Sequence, residues 1–147
     1  MTHLRFRLLG GTALVWVVVT AMARQEPAAP SVLSGVFTKE QATRGEKLYA
    51  ANCVRCHGET LGGIEQAPPL AGPEFSGAWE GKPLSALVTK IKGMPPDEQS
   101  TLSRTEIVEL LSYLLSAGGL PAGATPLAEE TSVLAKVLFH APSVPAR

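Results

Sequence analysis

Hydrophobic side chains recur at helical spacing in three stretches of the chain. The first stretch begins at Thr38, where Thr38 and Gln41 fit a capping box, and is predicted to run to about Asn52. One face of this helix carries apolar or small residues at i, i+3 and i+4 spacing, namely Ala42, Gly45, Leu48 and Tyr49. The pattern predicts a helix that ends directly before Cys53.

The other two stretches lie in the second half of the chain. A short helix is predicted to begin with Pro83, which suits a first helical turn, and to stop at Gly93. Its apolar stripe consists of Leu84, Leu87, Val88 and Ile91. A longer helix follows a second capping box, Ser103 with Glu106, and ends at Gly118. Its apolar positions are Ile107, Leu110, Leu111, Leu114 and Leu115.

The remaining segments carry weaker signals. Residues 58–79 are rich in Gly and Pro and are predicted to form a loop. Residues 127–139 are weakly amphipathic, which indicates one more helix. No alternation of apolar and polar residues typical of a strand is evident, so the sequence predicts an all-α fold.

The N-terminal residues fit a secretory signal peptide. Arg5 and Arg7 form a basic start, residues 8–20 form an apolar run, and residues 21–23 (Ala-Met-Ala) form a cleavage site. An uncleaved membrane anchor is the alternative, but the run is shorter than the ~20 residues that span a bilayer. Residues 24–36 are rich in Pro, Ala and Ser and are predicted to form a linker.

Composition narrows the choice of partners. The chain of 147 residues has 13 basic and 13 acidic residues. Cleavage after Ala23 removes two arginines and leaves 11 basic residues, hence a formal charge of −2. Neither value indicates nucleic acid or an anionic surface as a partner. Aromatic residues make up only 5% of the chain, so a large apolar cofactor would fill space that Phe and Trp otherwise fill.

The chemistry-bearing motif is Cys53-Val54-Arg55-Cys56-His57, which contains both cysteines of the chain. Two thiols at this spacing add to the two vinyl groups of one haem, and the histidine that follows gives a nitrogen to the iron. A Cys-x-x-Cys thiol redox pair is the alternative, but it belongs near a strand–helix–strand pattern and needs no histidine. The motif predicts one covalently attached haem c, leaves no cysteine for a disulfide, and agrees with export.

Met94 is the predicted second axial ligand. It lies between Gly93 and Pro95-Pro96, where the two prolines stiffen the backbone that carries the thioether. A methionine that fills a gap in the core is the alternative. His140 is the other possible donor, and we expect it to have no ligand role.

His57 also needs a partner for its second ring nitrogen, because such hydrogen bonds orient metal-bound imidazoles. The carbonyl of Pro68 is the predicted acceptor, and Leu70 is then expected to lie against the haem. Ligation by both His57 and Met94 raises the potential relative to two imidazoles. It also leaves no open position on the iron, which favours electron transfer over catalysis.

These residues together resemble the class I c-type cytochromes over residues 45–115. The matching positions follow the family's order, namely Gly45, Tyr49, Cys53-x-x-Cys56-His57-Gly58, Pro68-x-Leu70, Gly93-Met94-Pro95, Leu110 and Tyr113-Leu114. The resemblance implies a small fold of three to five helices wrapped around one haem. It also implies that the first and last helices cross closely at Gly45, although the residues of this contact suit an ordinary core as well.

The string from Phe75 to Leu84 is similar to a narrower set, the cytochrome c domains that serve periplasmic quinoprotein-type dehydrogenases. The resemblance implies that Trp79 donates a hydrogen bond to a haem propionate, and a core aromatic is the alternative. Three lysines flank the methionine side and form either a docking patch or an ordinary solvated face. They are Lys82, Lys90 and Lys92.

The sequence thus predicts a signal peptide (1–23), a linker (24–36), a haem domain (37–118) and a C-terminal extension (119–147). The predicted function is a periplasmic single-electron carrier between a dehydrogenase and an oxidase or other cytochrome of the respiratory chain. A cytochrome subunit bound tightly to one dehydrogenase is an alternative. A haem enzyme or gas sensor is another, if Met94 does not bind iron. Membrane contact is expected only if the signal segment is retained.

Overall fold

The computed structural model describes residues 30–65, 67–97 and 100–142. The predicted signal peptide and residues 24–29 of the predicted linker lie outside this part of the chain. Within the described part, no helix combines the length and the apolar character needed to cross a membrane.

Helices make up the regular structure of the described residues, which confirms the predicted all-α class. In chain order they are a 3₁₀ turn (Val32–Ser34), α1 (Lys39–Asn52), α2 (Val54–His57), α3 (Gly72–Trp79), α4 (Leu84–Lys92), α5 (Arg104–Ala117) and α6 (Thr131–Leu134). Two of these six α-helices, α2 and α6, are single turns of four residues. The four longer helices agree with the predicted three to five.

Side-chain caps fix where the two longest helices begin. The Thr38 hydroxyl accepts from the Gln41 N–H at 3.2 Å, and the Gln41 side-chain oxygen accepts from the Thr38 N–H at 3.2 Å. Ser103 and Glu106 form the same reciprocal pair before α5. Both predicted capping boxes are confirmed, and so are the starts of these helices.

Two proline positions differ from the prediction. The predicted loop 58–79 ends in helix α3, because Pro73 lies in the first helical turn, where a missing N–H costs nothing. Pro83 is the N-cap of α4 with extended backbone and not a residue of its first turn. Gly93 caps the C-terminus of α4, as predicted.

The segment after α5 is mostly without regular structure, and only α6 is helical within the predicted helix 127–139. Hydrogen bonds to distant segments replace helical ones. The Leu138 N–H donates to the carbonyl of Pro30 at 3.0 Å, and the Val32 N–H donates to the carbonyl of Leu138 at 3.1 Å. The same bonds pack residues 30–36, the described end of the predicted linker, onto the domain, and Val32 is fully buried.

Helices α1 and α5 cross closely at Gly45, as expected. A Cβ built on Gly45 would overlap the backbone carbonyl of Glu109 and lie 2.9 Å from the Cβ of Tyr113. Beside the crossing, the Arg44 guanidinium pairs with the Glu109 carboxylate. Only glycine permits the two backbones to approach this far.

The core lies between α1, α4 and α5 and includes side chains from both terminal segments. Its most buried side chains are Phe37, Leu84, Ile107, Leu111, Leu115, Leu134, Val32, Val88, Val108 and Ser112. The Ser112 hydroxyl donates to the carbonyl of Val108 at 2.8 Å, so this buried polar group is satisfied.

Replacement of Gly45 by Ala is expected to lower the free energy of unfolding by about 2 kcal/mol, because the added methyl group forces α1 and α5 apart. Gly77→Ala is the matched control, since space is open around the missing Cβ of Gly77 in α3. That change should be neutral or raise stability by roughly 0.5–1 kcal/mol. Thermal unfolding followed by circular dichroism measures both, and equal effects would contradict the close crossing.

Candidate haem-binding site

The end of α1 brings the two cysteines and the histidine onto one turn. The N–H of Cys53 donates to the carbonyl of Tyr49 at 2.9 Å and so continues α1. The carbonyl of Cys53 accepts the N–H groups of Cys56 at 3.1 Å and of His57 at 2.9 Å. Because residues three and four apart share a helix face, the two thiols and the imidazole lie on the same side of this turn.

The imidazole of His57 is oriented by Pro68. Its Nδ1 lies 2.9 Å from the carbonyl oxygen of Pro68. Because a carbonyl only accepts, this bond places the ring proton on Nδ1 and leaves the lone pair of Nε2 for a metal. The expected contact is present, while the role of Pro68 toward a haem stays a prediction.

A loop folded at Gly63 holds the Pro68 carbonyl in position. The Gly63 N–H donates to the carbonyl of His57 at 3.0 Å, and the Leu70 N–H donates to that of Leu61 at 2.8 Å. Gly63 has a φ of +76°, and a Cβ there would overlap the backbone just before Pro68. The sequence predicts only a loop here, although the pair Gly62-Gly63 is the signal for such a close approach.

Tyr49 connects this turn to the two long helices. Its hydroxyl donates to the carbonyl of Gly58 at 2.6 Å, and its ring lies 5.3 Å from that of Tyr113 between centroids. Burial raises the pKa of Tyr49 to about 12, so the phenol stays a neutral donor at physiological pH. The residue after His57 is thereby tied to α1 and, through Tyr113, to α5.

The free thiols do not have the properties of a redox pair. Cys53 is half-buried and Cys56 is exposed. Burial raises the pKa of the Cys53 thiol, with the neighbouring Cys56 as a second cause. Thiol redox pairs use a cysteine of lowered pKa, and the described residues form no strand–helix–strand unit. Both observations disfavour the thiol redox alternative.

Helix α4 presents Met94 just beyond its last turn. The Gly93 N–H is shared between the carbonyls of Thr89 and Lys90, and the Met94 N–H donates to the carbonyl of Ile91 at 3.0 Å. The Met94 side chain is half-buried. It belongs neither to the buried core nor to the partly buried apolar side chains packed against that core. This placement argues against the core-filling alternative.

Trp79 ends α3 and is half-buried. Its ring centroid lies 6.2 Å from that of Phe75, and the Nζ of Lys82 lies 5.2 Å from the Trp79 centroid. The ring is therefore held between an aromatic side chain and a cation. This setting suits both the propionate contact and the core aromatic.

His140 contacts a carboxylate. Its Nδ1 lies 2.6 Å from Glu80 Oε1, and the Ala141 N–H donates to Glu80 Oε2 at 2.9 Å. The Ala141 N–H and, secondly, the His140 side chain hold the pKa of Glu80 below its usual range. The contact engages Nδ1 only, so the absence of a ligand role for His140 stays a prediction.

The donor set fits a covalently bound haem. Two thiols and an imidazole lie on one turn, the second imidazole nitrogen is already hydrogen-bonded, and a thioether outside the core follows another helix. Partly buried apolar side chains close in sequence to His57 and Pro68 pack against the core, namely Val54, Leu70 and Ala71. Across the described ranges, no cluster of three His, Cys, Asp or Glu side chains suits a bare metal ion.

The fold and the donor set define a c-type cytochrome. Residues 40–114, half of the chain, match the family described as cytochrome c oxidase, cbb3-type, subunit III. The chain belongs to this cytochrome c family, and the family implies covalent haem c and electron transfer. The predicted membership in the c-type cytochromes is thereby confirmed.

Two known proteins are similar over part of their length. Cytochrome c-550 of Bacillus subtilis (strain 168) is 34% identical over 61 residues, which are 39% of this chain and 46% of that protein. The chain thus spans about half the length of this curated relative. The crystal structure of the sulfane dehydrogenase SoxCD from Paracoccus pantotrophus aligns with a TM-score of 0.44 and 27% identity, over 54% of this chain and 44% of that chain.

Replacement of both Cys53 and Cys56 by Ala is expected to abolish covalent haem, since the sequence has no other cysteine. Haem staining of a denaturing gel measures the attachment. Met94→Ala is the matched control and should keep the stained band, because it leaves both thiols in place. A stained band from the double variant would show that haem is attached elsewhere.

Proposed function

We propose that this protein is an exported, periplasmic carrier of single electrons whose haem c is held between His57 and Met94. It accepts electrons from a dehydrogenase and passes them to an oxidase or another cytochrome of the respiratory chain. One observation carries the proposal. The His57 imidazole is oriented by the Pro68 carbonyl at 2.9 Å, and the half-buried Met94 thioether lies outside the core.

The bound haem supplies a one-electron change at its iron. The protein's part is to hold and tune it. His57 gives a nitrogen whose basicity is raised by the bond to Pro68, and Met94 gives a soft sulfur that favours the reduced metal. If His57 and Met94 both bind the iron, no position would be left for a substrate, which would favour electron transfer over catalysis.

Lysines before and within α4 supply positive charge for the docking of a redox partner. Lys90 and Lys92 are exposed in the last turn of α4, directly before Met94, and Lys82 is exposed just before the start of this helix. Positive charge near the proposed iron ligand speeds the encounter with an acidic partner. Encounters of this kind are small and short-lived, as electron transfer requires.

A stable subunit of one oxidoreductase complex is the second candidate. The description of the family as an oxidase subunit favours it. Size-exclusion chromatography of the protein from its native cell extract distinguishes the two. Elution at the mass of the single chain supports the carrier, and co-elution with a dehydrogenase or an oxidase supports the subunit. Mass spectrometry of the same sample reports cleavage after Ala23.

Met94→Ala should remove the near-infrared Met–Fe(III) charge-transfer band, because that band requires the sulfur ligand. The potential should fall, since a soft donor is lost, and the reduced protein should bind carbon monoxide. Absorption spectra with redox titration measure all three properties.

Met94→His is the control for this experiment. An imidazole in this position should also remove the band and lower the potential, but it should keep carbon monoxide out, because the sixth position is filled again. A Met94→Ala protein that retains the band and the potential would show that another methionine binds the iron. A wild-type protein that lacks the band and binds carbon monoxide would contradict the carrier and favour a haem enzyme or gas sensor.

Lys90→Glu combined with Lys92→Glu should slow oxidation by ferricyanide several-fold at low ionic strength, because an anionic oxidant loses its attraction to the end of α4. Lys39→Glu with Lys47→Glu on α1 is the control with the same change in net charge. Stopped-flow absorption measures the rates, and added salt should remove the difference. Equal slowing by both pairs would mean that net charge alone acts.

A further inference from the structure

The connection between α3 and α4 is held by the C-terminal segment. We call residues 137–141 the strap. Three backbone hydrogen bonds of 2.9 Å join it to the connection, from Leu84 N–H to the Val137 carbonyl, from Gly81 N–H to the Phe139 carbonyl and from Phe139 N–H to the Lys82 carbonyl. Pro83 and Leu138 form an antiparallel bridge between them. The path of the chain into α4 therefore follows the strap.

Side chains reinforce this pairing at its far end. The Glu80 carboxylate accepts from the Ala141 N–H at 2.9 Å and contacts the His140 ring at 2.6 Å, so each of its oxygens has a partner in the strap. The buried ring of Phe139 packs edge-on against Phe75 at 5.8 Å, and Phe75 in turn contacts Trp79. The strap thus reaches the Trp79 ring through one intervening aromatic side chain.

The strap is itself attached to the part of the fold that bears the haem motif. Leu138 pairs on its other edge with the segment before α1, through Pro30 and Val32. Upstream, the buried side chain of Gln41 in α1 bonds to both backbone groups of Leu127, at 3.1 and 2.7 Å. The strap therefore joins the segment that precedes α1 to the connection that leads to α4.

Helix α4 depends on this support. It has nine residues, and isolated helices shorter than ~12 residues are marginal in water. Its N-cap, Pro83, gives no side-chain hydrogen bond. The Leu84 N–H, a first-turn donor without a helical partner, is satisfied by the strap. Movement of the strap would therefore shift the helix that ends just before Met94.

We propose that the strap positions the methionine side of the haem site, and that Phe139 and Glu80 are its positioning residues. This inference rests on the proposed ligation of iron by Met94. Neither side chain need touch the haem. They act through α4 and Trp79, and they set how often the Met94 sulfur leaves the iron.

The experiment uses the full-length, haem-loaded protein with Phe139→Leu and Glu80→Gln. Each has a matched control outside the strap, Phe37→Leu for the buried aromatic and Glu74→Gln for the exposed carboxylate of α3. The rate of carbon monoxide binding to the reduced protein reports how often the sixth position opens. The melting of the near-infrared band is compared with that of helical circular dichroism.

Phe139→Leu and Glu80→Gln should each bind carbon monoxide about fivefold faster or more, the factor expected for loss of one hydrogen bond or contact. They should also lose the band several degrees below helix melting. In the two controls, the difference between the melting temperatures of the band and of the helices should equal that of the wild type.

The proposal is overturned, while Met94 ligation stands, if the wild type shows the band but Phe139→Leu and Glu80→Gln change neither the carbon monoxide rate nor this difference. A wild type without the band overturns both. If Phe37→Leu binds carbon monoxide as fast as Phe139→Leu, the effect is general destabilisation, and the positioning role is overturned.

Discussion

Gly45 lets the backbone of α1 lie against that of α5, and the position of the haem motif follows from this contact. Cys53 comes directly after α1, so the axis of α1 decides where the first thiol lies. One turn earlier, Tyr49 packs on Tyr113 of α5 and donates to the carbonyl of Gly58. A shift of α1 against α5 would therefore move Cys53 and His57, the two ends of the haem motif, together.

The two sides of the haem site are built in different ways. The histidine side is local, because the turn that carries His57 and the loop that presents the Pro68 carbonyl are separated by about ten residues and share backbone hydrogen bonds. The methionine side is assembled from distant parts, since α4 rests on α5 and on the strap. Residues close in sequence therefore build the surroundings of His57, whereas contacts between distant segments decide where Met94 lies.

Burial explains why the terminal segments belong to the fold. Val32, Phe37, Leu134 and Phe139 are all buried, although they lie outside the four longer helices. In a protein of this size the helices alone offer little interior. The terminal segments enlarge it, and they satisfy their backbone groups by pairing with one another and with the α3–α4 connection.

The sequence by itself determined the features that depend on residues within one helical turn. The two capping boxes, the apolar stripes of α1, α4 and α5, and the Cys53–His57 motif are all set by i, i+3 and i+4 spacing. The contact of His57 with Pro68 was also predicted, because the Gly- and Pro-rich loop after the motif can fold beneath the histidine and present a carbonyl to it. Only the tertiary structure decided that Glu80 pairs with His140, that Gln41 holds Leu127 and that residues 30–36 are packed. These contacts join residues 60 to over 100 positions apart along the chain. Pairings of this kind depend on register and shape, and neither leaves a pattern in the local sequence.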